Sequence, residues 1–174
     1  FLDLPNAKFN EAEIVLLPLP FQGTVSYGHG TAAGPAAIWR ASAEVETWDE
    51  ELNYDLSQLR LHSAQPVVPD VEETPEHYLT RVQAGATACH REQQRQTLVV
   101  GVGGEHSLTP PLVKAAYGDD LSQLTIVQFD AHADLRSQYE GTQHSHACAM
   151  RRLIDAGASV LGIGLRSWAW EETT

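Results

Sequence analysis

Cysteine is nearly absent. The 174 residues include two, Cys89 and Cys148, far apart and in no CxxC pair. That excludes the disulfide framework on which small secreted domains rely, and it points to a reducing compartment and a cytoplasmic protein. Long apolar runs are lacking too. The longest early one, Ile14 to Phe21, is broken by Pro18 and Pro20, too short for a secretory signal or a membrane span. Basic residues are scarce: 11 Lys and Arg stand against 23 Asp and Glu, for a net charge of −12. Such an excess repels phosphate backbones and anionic lipid, so it argues against nucleic acid and membrane as partners and is compatible with a cationic small molecule. Internal repeats and low-complexity tracts are missing. The chain opens on Phe1 rather than Met and stops at Thr174 just past an apparent strand, so both ends read as cuts.

What is present is enough for a single domain over 1–174: 43% of the residues are hydrophobic, and a chain this long buries a real core. Strands and helices alternate. Ile14-Val15-Leu16-Leu17 reads as a buried strand, and Gly34-Pro35 opens a short helix with proline at its tolerated first position. The stretch from Asp49 to Asp70 is mixed. Thr74-Pro75-Glu76 starts a helix whose apolar face is Tyr78, Val82, Ala86 and Cys89. Leu98 to Val102 is a second strand, Thr109-Pro110 opens a helix ending near Gly118, and Leu124 to Phe129 is a third strand. Ser145 caps a helix with inner face Ala147, Met150, Leu153 and Ile154, and Ser159 to Leu165 is a last strand. Continuous apolar strands separated by helices predict an α/β fold, a mostly parallel sheet covered on both faces.

In such sheets, sites form beyond the carboxyl ends of the strands. Two strand ends carry chemistry: Gly103-Gly104-Glu105-His106-Ser107 and Asp130-Ala131-His132-Ala133-Asp134. Residues two apart in extended chain point the same way, so Asp130, His132 and Asp134 can converge where the strand runs out. The glycines at 103 and 104 let the backbone turn and bring His106 to the same rim. Carboxylates and imidazoles suit a divalent ion such as Mn, Fe or Zn rather than a soft thiolate-binding metal. The competing reading makes Asp130 and Asp134 caps or salt-bridge partners and His132 a satisfied core histidine; a metal is preferred because an uncompensated cluster of buried charge would be expensive. An EF-hand is excluded, because Leu135 and Gly141 stand where its glycine and bidentate glutamate belong. A dinucleotide fingerprint is excluded by His106, which stands where its last glycine belongs.

These two motifs resemble the first two metal motifs of the ureohydrolases, the arginase and agmatinase family. Further segments resemble the agmatinase branch: Gly23-Thr24-Val25-Ser26-Tyr27-Gly28-His29-Gly30-Thr31 with Gly34-Pro35, then Trp48-Asp49-Glu50-Glu51-Leu52, Ser145-His146-Ala147 and Gly162-Ile163-Gly164-Leu165-Arg166-Ser167. The resemblance implies a three-layer αβα fold, a pair of Mn2+ ions, and hydrolysis of a guanidino group to urea and an amine, with agmatine the expected substrate and a homo-oligomer the expected assembly. Carried over by position, it implies that His106 and His132 each bind one Mn, that Asp130 bridges the pair, and that Asp134 joins His106. His146 would handle protons at the substrate, and the loop from Arg136 to Gln143, with Tyr139 and Glu140, would lie over the substrate's amine end. His146 is preferred to His144 two positions earlier, because it follows Ser145 at a helix start.

The family's later Asp-x-Asp motif and the still later glutamate that grips the guanidinium have no counterpart here. The expectation is therefore a ureohydrolase fold truncated on its C-terminal side, binding Mn weakly and turning over little by itself, with an unpaired sheet edge and an exposed apolar face. Guanidinobutyrate, arginine or formimidoylglutamate are alternative substrates, and a non-catalytic metal-binding subunit is the alternative of another class. Outside the motifs, His62, His77 and His90 are expected at the surface, Cys148 in the core beside Met150, Arg151 and Arg152 on an outer helix face, and Trp168 and Trp170 in the core or at a subunit contact.

Overall fold

The structure, a computed structural model, describes residues 1–91 and 97–173. Strand β1 (Ile14–Leu19) lies between β4 (Leu61–Ser63) and β5 (Leu98–Gly103), parallel to both. Proline inside a central strand normally removes a ladder bond. Pro18 is tolerated because β4 has already ended at Ser63 beside Leu16, and the Pro18 carbonyl on that side takes the Val67 amide at 3.1 Å. A second parallel pair joins β6 (Thr125–Phe129) to β7 (Ser159–Ile163). The mixed stretch before β4 holds a small antiparallel pair, β2 (Trp48–Asp49) and β3 (Tyr54–Asp55).

The expected parallel α/β layering is present, with one difference. Among the described residues β5 and β6 share no ladder, so the parallel strands form a three-stranded and a two-stranded piece rather than one sheet. Helix α2 (Pro75–Arg91) covers the first piece. Its predicted face of Tyr78, Val82, Ala86 and Cys89 is buried against Val15, Leu17 and Leu19. Helix α1 (Gly34–Ser42) starts with proline in its first turn, and α3 (Thr109–Tyr117) ends at Gly118 in the left-handed region, φ 85°. Helix α4 (Ala149–Asp155) packs Met150 and Leu153, with Leu121, against Ile126 and Val160 of the second piece.

The other face of that piece is bare. Val127 stands opposite Leu161 and Phe129 opposite Ile163, and all four are exposed, Phe129 at 78%. Ile154, expected inside, is also exposed, because α4 is only 7 residues long and turns one narrow stripe inward. His62 and His90 are half-buried rather than exposed: the His62 ring meets the Ala7 carbonyl at 2.8 Å, and burial lowers the pKa of His90. Trp168 and Trp170 are exposed and lie outside the core. No helix among the described residues is long and apolar enough to cross a membrane.

Candidate metal centre

Strand β5 ends at Gly103, and the chain passes under the loop that follows β1. A Cβ on Gly104 would collide with the Phe21 carbonyl oxygen, so close backbone approach, not an unusual turn, requires glycine there. The tight crossing sets His106 at the head of a single 3-10 turn, His106–Leu108.

Strand β6 delivers the acids. After Phe129 the chain leaves the extended conformation. Asp130 Oδ1 folds back to accept the His132 amide at 2.9 Å, a local turn of the kind aspartate favours. Asp134 adopts the left-handed conformation, φ 53°, which aspartate tolerates better than most residues. In that pose its carbonyl accepts the Met150 and Arg151 amides at 3.1 and 3.2 Å, capping α4, while its carboxylate turns back toward β5.

The result is a cluster. His106 Nδ1 lies 2.5 Å from Asp134 Oδ2 and 3.4 Å from Asp130 Oδ2. One ligand atom from each of the three residues falls within 4.8 Å of the others. Two carboxylates and one imidazole nitrogen around a point form a donor set that fits a hard or borderline divalent ion. Burial works to raise the Asp130 pKa, but the His132 amide, the nearby His106 ring and the Gln128 side chain outweigh it and hold the carboxyl below its ordinary value.

His132 stands outside this three-residue group. Its side chain is 63% exposed, and Nδ1 is 3.6 Å from Asp130 Oδ1. Period-two alternation places it with the two aspartates only while the chain stays extended, and the turn at Asp130 ends that. Asp130 consequently has one oxygen toward each histidine, Oδ2 toward His106 and Oδ1 toward His132.

Beside the cluster opens a cleft of about 470 Å3, lined among others by His132, Asp134, Tyr139, His146, Tyr27 and Trp168. His146 heads the 3-10 turn His146–Cys148, which Ser145 caps by accepting the Ala147 amide. Its Nε2 is 3.3 Å from Ser26 Oγ, and the Tyr139 ring meets it edge-on at 5.9 Å. His144 lies elsewhere, 3.8 Å from Glu76 in a separate cavity of about 190 Å3. His29 is exposed and held by Gln22 at 3.1 Å. Tyr139 and Thr142 pair across a two-residue turn in which Glu140 (φ 49°) and Gly141 (φ 82°) are both left-handed, the geometry that matches strand twist in a tight hairpin. This puts Glu140 at the exposed tip, next to Tyr139 but not itself among the residues that line the cleft. Arg136 stacks over Tyr139 at 4.7 Å and reaches Glu171 at 3.4 Å.

Motif reasoning on the ligands passed over Glu105, Thr24 and Ser26. Glu105 is buried at 7% exposure and anchors the loop after β1. The available signal was a carboxylate placed between a glycine that must contact backbone and a candidate ligand histidine.

Residues 12–174 match the arginase family. The chain is 34% identical over 95% of its length to an N(1)-aminopropylagmatine ureohydrolase of Synechocystis sp., and 33% identical over 98% to an agmatinase of Pyrococcus horikoshii. It spans 54% and 58% of those proteins, about half the length of each. The crystal structure of agmatine ureohydrolase of Thermoplasma volcanium superposes with a TM-score of 0.82 at 29% identity, over 95% of this chain and 54% of that one. With a family match over nearly all of its own length and a parallel α/β core, the chain belongs to the arginase family.

Proposed function

We propose that the protein of which these residues form the site hydrolyses the guanidino group of agmatine to putrescine and urea, with Mn2+ that His106, Asp130 and Asp134, together with His132, would hold. The single observation that carries this reading is the convergence of His106 with two carboxylates from the segment that follows β6, Asp130 offering its second oxygen to His132. A guanidinium carbon is a poor electrophile, because resonance spreads its charge. Divalent ions held by these residues would supply the missing reactivity by lowering the pKa of water.

The chain's own residues do the rest. His146, on the wall of the cleft, takes the proton that the attacking water loses and returns it to the departing nitrogen at Nε2. Tyr27 and Trp168 are aromatic residues lining the cleft, and aromatic rings attract a cationic amine tail. The net charge of −12 favours approach of a dication. Three converged ligands fill neither shell of a metal pair, so this chain by itself holds Mn weakly and turns over slowly. The bare β6–β7 face is where self-association would occur.

Urea release from agmatine by the full-length protein, dependent on Mn and lost in Asp130→Ala, is the expected result; normal release in that variant ends the reading. The likeness to an aminopropylagmatine ureohydrolase favours a second, longer substrate. A panel of agmatine, aminopropylagmatine, guanidinobutyrate, arginine and formimidoylglutamate separates these, and formamide in place of urea would mark formimidoyl chemistry.

A further inference from the structure

We propose that Glu105 and Thr24 form a relay that holds the His146 ring as its Nδ1–H tautomer and leaves Nε2 as the proton-handling nitrogen toward the cleft. The inference rests on the reading of His146 given above; Glu105 and Thr24 are positioning residues that act through it.

Hydrogen-bond counting carries the argument. Glu105 Oε2 accepts the Gly23 and Thr24 amides, each at 2.8 Å. Its Oε1 accepts the Thr24 hydroxyl at 2.5 Å and the Ser107 hydroxyl at 2.6 Å. A carboxylate offers about four acceptor positions, and four protein donors occupy them. Thr24 has one hydroxyl proton, and it is directed at Glu105. At every other contact Thr24 Oγ1 must accept. Those contacts are the His146 amide at 3.0 Å and His146 Nδ1 at 3.3 Å. Nδ1 therefore carries the hydrogen.

Ser145 Oγ is also 3.3 Å from Nδ1, but it accepts the Ala147 amide and its own proton is free to turn away. It follows the tautomer and does not set it. In the neutral Nδ1–H ring, Nε2 has a free lone pair toward Ser26 Oγ and the cleft. Ser26 Oγ is also 3.3 Å from the Tyr139 hydroxyl. Because either hydroxyl of that pair can donate to the other, Ser26 adapts to the ring where Thr24, fixed on Glu105, does not. Nε2 can then take one proton from the attacking water and give that proton to the leaving nitrogen, and the ring ends in the state in which it began. The opposite tautomer would present an N–H to the cleft and could not begin the cycle. The relay also ties together three separate segments: the loop after β1, the end of β5 and the turn before α4.

The test is 15N NMR of the metal-free protein labelled at histidine, with the His146 signals identified by their loss in His146→Asn. The wild type is expected to show protonated Nδ1 and unprotonated Nε2. Thr24→Val should move His146 toward the Nε2–H form, Thr24→Ser should restore the wild-type pattern, and Ser145→Ala should leave it unchanged. An unchanged tautomer in folded Thr24→Val, or a switch produced by Ser145→Ala, overturns the relay. If Thr24→Val does not fold, Glu105→Gln decides. Its amide donates to Thr24 and turns that hydroxyl toward Nδ1, so the Nε2–H fraction should rise; no rise overturns the proposal. In the full-length protein Thr24→Val should lower kcat about tenfold with KM little changed, the loss expected when one supporting hydrogen bond goes. A full-length protein that releases no urea but shows the expected tautomers refutes the hydrolysis and keeps the relay. Normal kinetics with an unmoved tautomer do the reverse.

Discussion

The two parallel pieces of sheet are built to different standards. The β4–β1–β5 piece has Val15, Leu17 and Leu19 essentially sealed under α2. The β6–β7 piece has α4 on one face and open apolar side chains on the other. Yet the chemistry is drawn from both: His106 from the sealed piece, Asp130 and Asp134 from the half-covered one. The contrast teaches that the geometry of the cluster depends less on the second sheet's own core than on what fastens its end. The Asp134 cap on α4, the Asp130 turn and the contact with His106 provide that fastening.

The sharpest test of the contrast is a large-to-small change in each piece. Leu19→Ala, in the sealed piece, should cost roughly 2–5 kcal/mol by urea unfolding. A loss below about 1 kcal/mol would mean that the first core is not the main source of stability. Next comes the fastening. Saturating Mn should raise the melting temperature of the wild type, the equivalent of about 2.7 kcal/mol at a hundredfold excess over Kd. Asp134→Ala should abolish that rise, and a rise equal to wild type would remove Asp134 from the ligand set.

A smaller effect concerns acid. At the start of α2, burial works to raise the Glu73 pKa, but the Asp70 amide at 2.9 Å and the Arg81 guanidinium at 2.7 Å outweigh it and lower it. A depressed carboxyl contributes stability above its unfolded pKa, and that contribution disappears as pH falls through the folded value. Glu73→Gln should therefore lower the melting temperature at pH 7 and flatten its decline below pH 5; parallel curves for the two proteins would refute this. The smallest effect is expected on the bare face. Phe129→Ala should change stability by no more than about 0.5 kcal/mol, and Phe129→Glu should suppress concentration-dependent association in sedimentation experiments. A large destabilisation from either change would show that the face is covered in solution.

Periodicity carried most of the fold. Tyr78, Val82, Ala86 and Cys89 recur every three or four residues, and no other arrangement buries all of them. The short apolar runs at Ile14, Leu98 and Leu124 read as parallel strands, and all three form them. The strand ends were legible as a site for the same reason, since charge after an apolar run demands a partner. Beyond Phe129 that logic weakens. Which way His132 points is set by the Asp130 turn and the left-handed Asp134, and neither leaves a periodic trace. The discontinuity between β5 and β6 was equally hidden, because an unpaired strand has the same composition as a paired one. Glu105 escaped because its four donors come from Gly23, Thr24 and Ser107, and three of those four come from a loop some eighty residues upstream.

Position 134 answers to two demands at once. Its main chain must sit where β-branched side chains clash, and its oxygen must still receive the first free amides of α4. Its side chain must at the same time reach His106 with a negative oxygen. Glycine meets only the first demand and glutamate only the last, while asparagine keeps the bend and the cap but forfeits the charge. Asp134→Asn and Asp134→Gly therefore become the replacements able to separate the helix that this carbonyl caps from the ion that its carboxylate would hold.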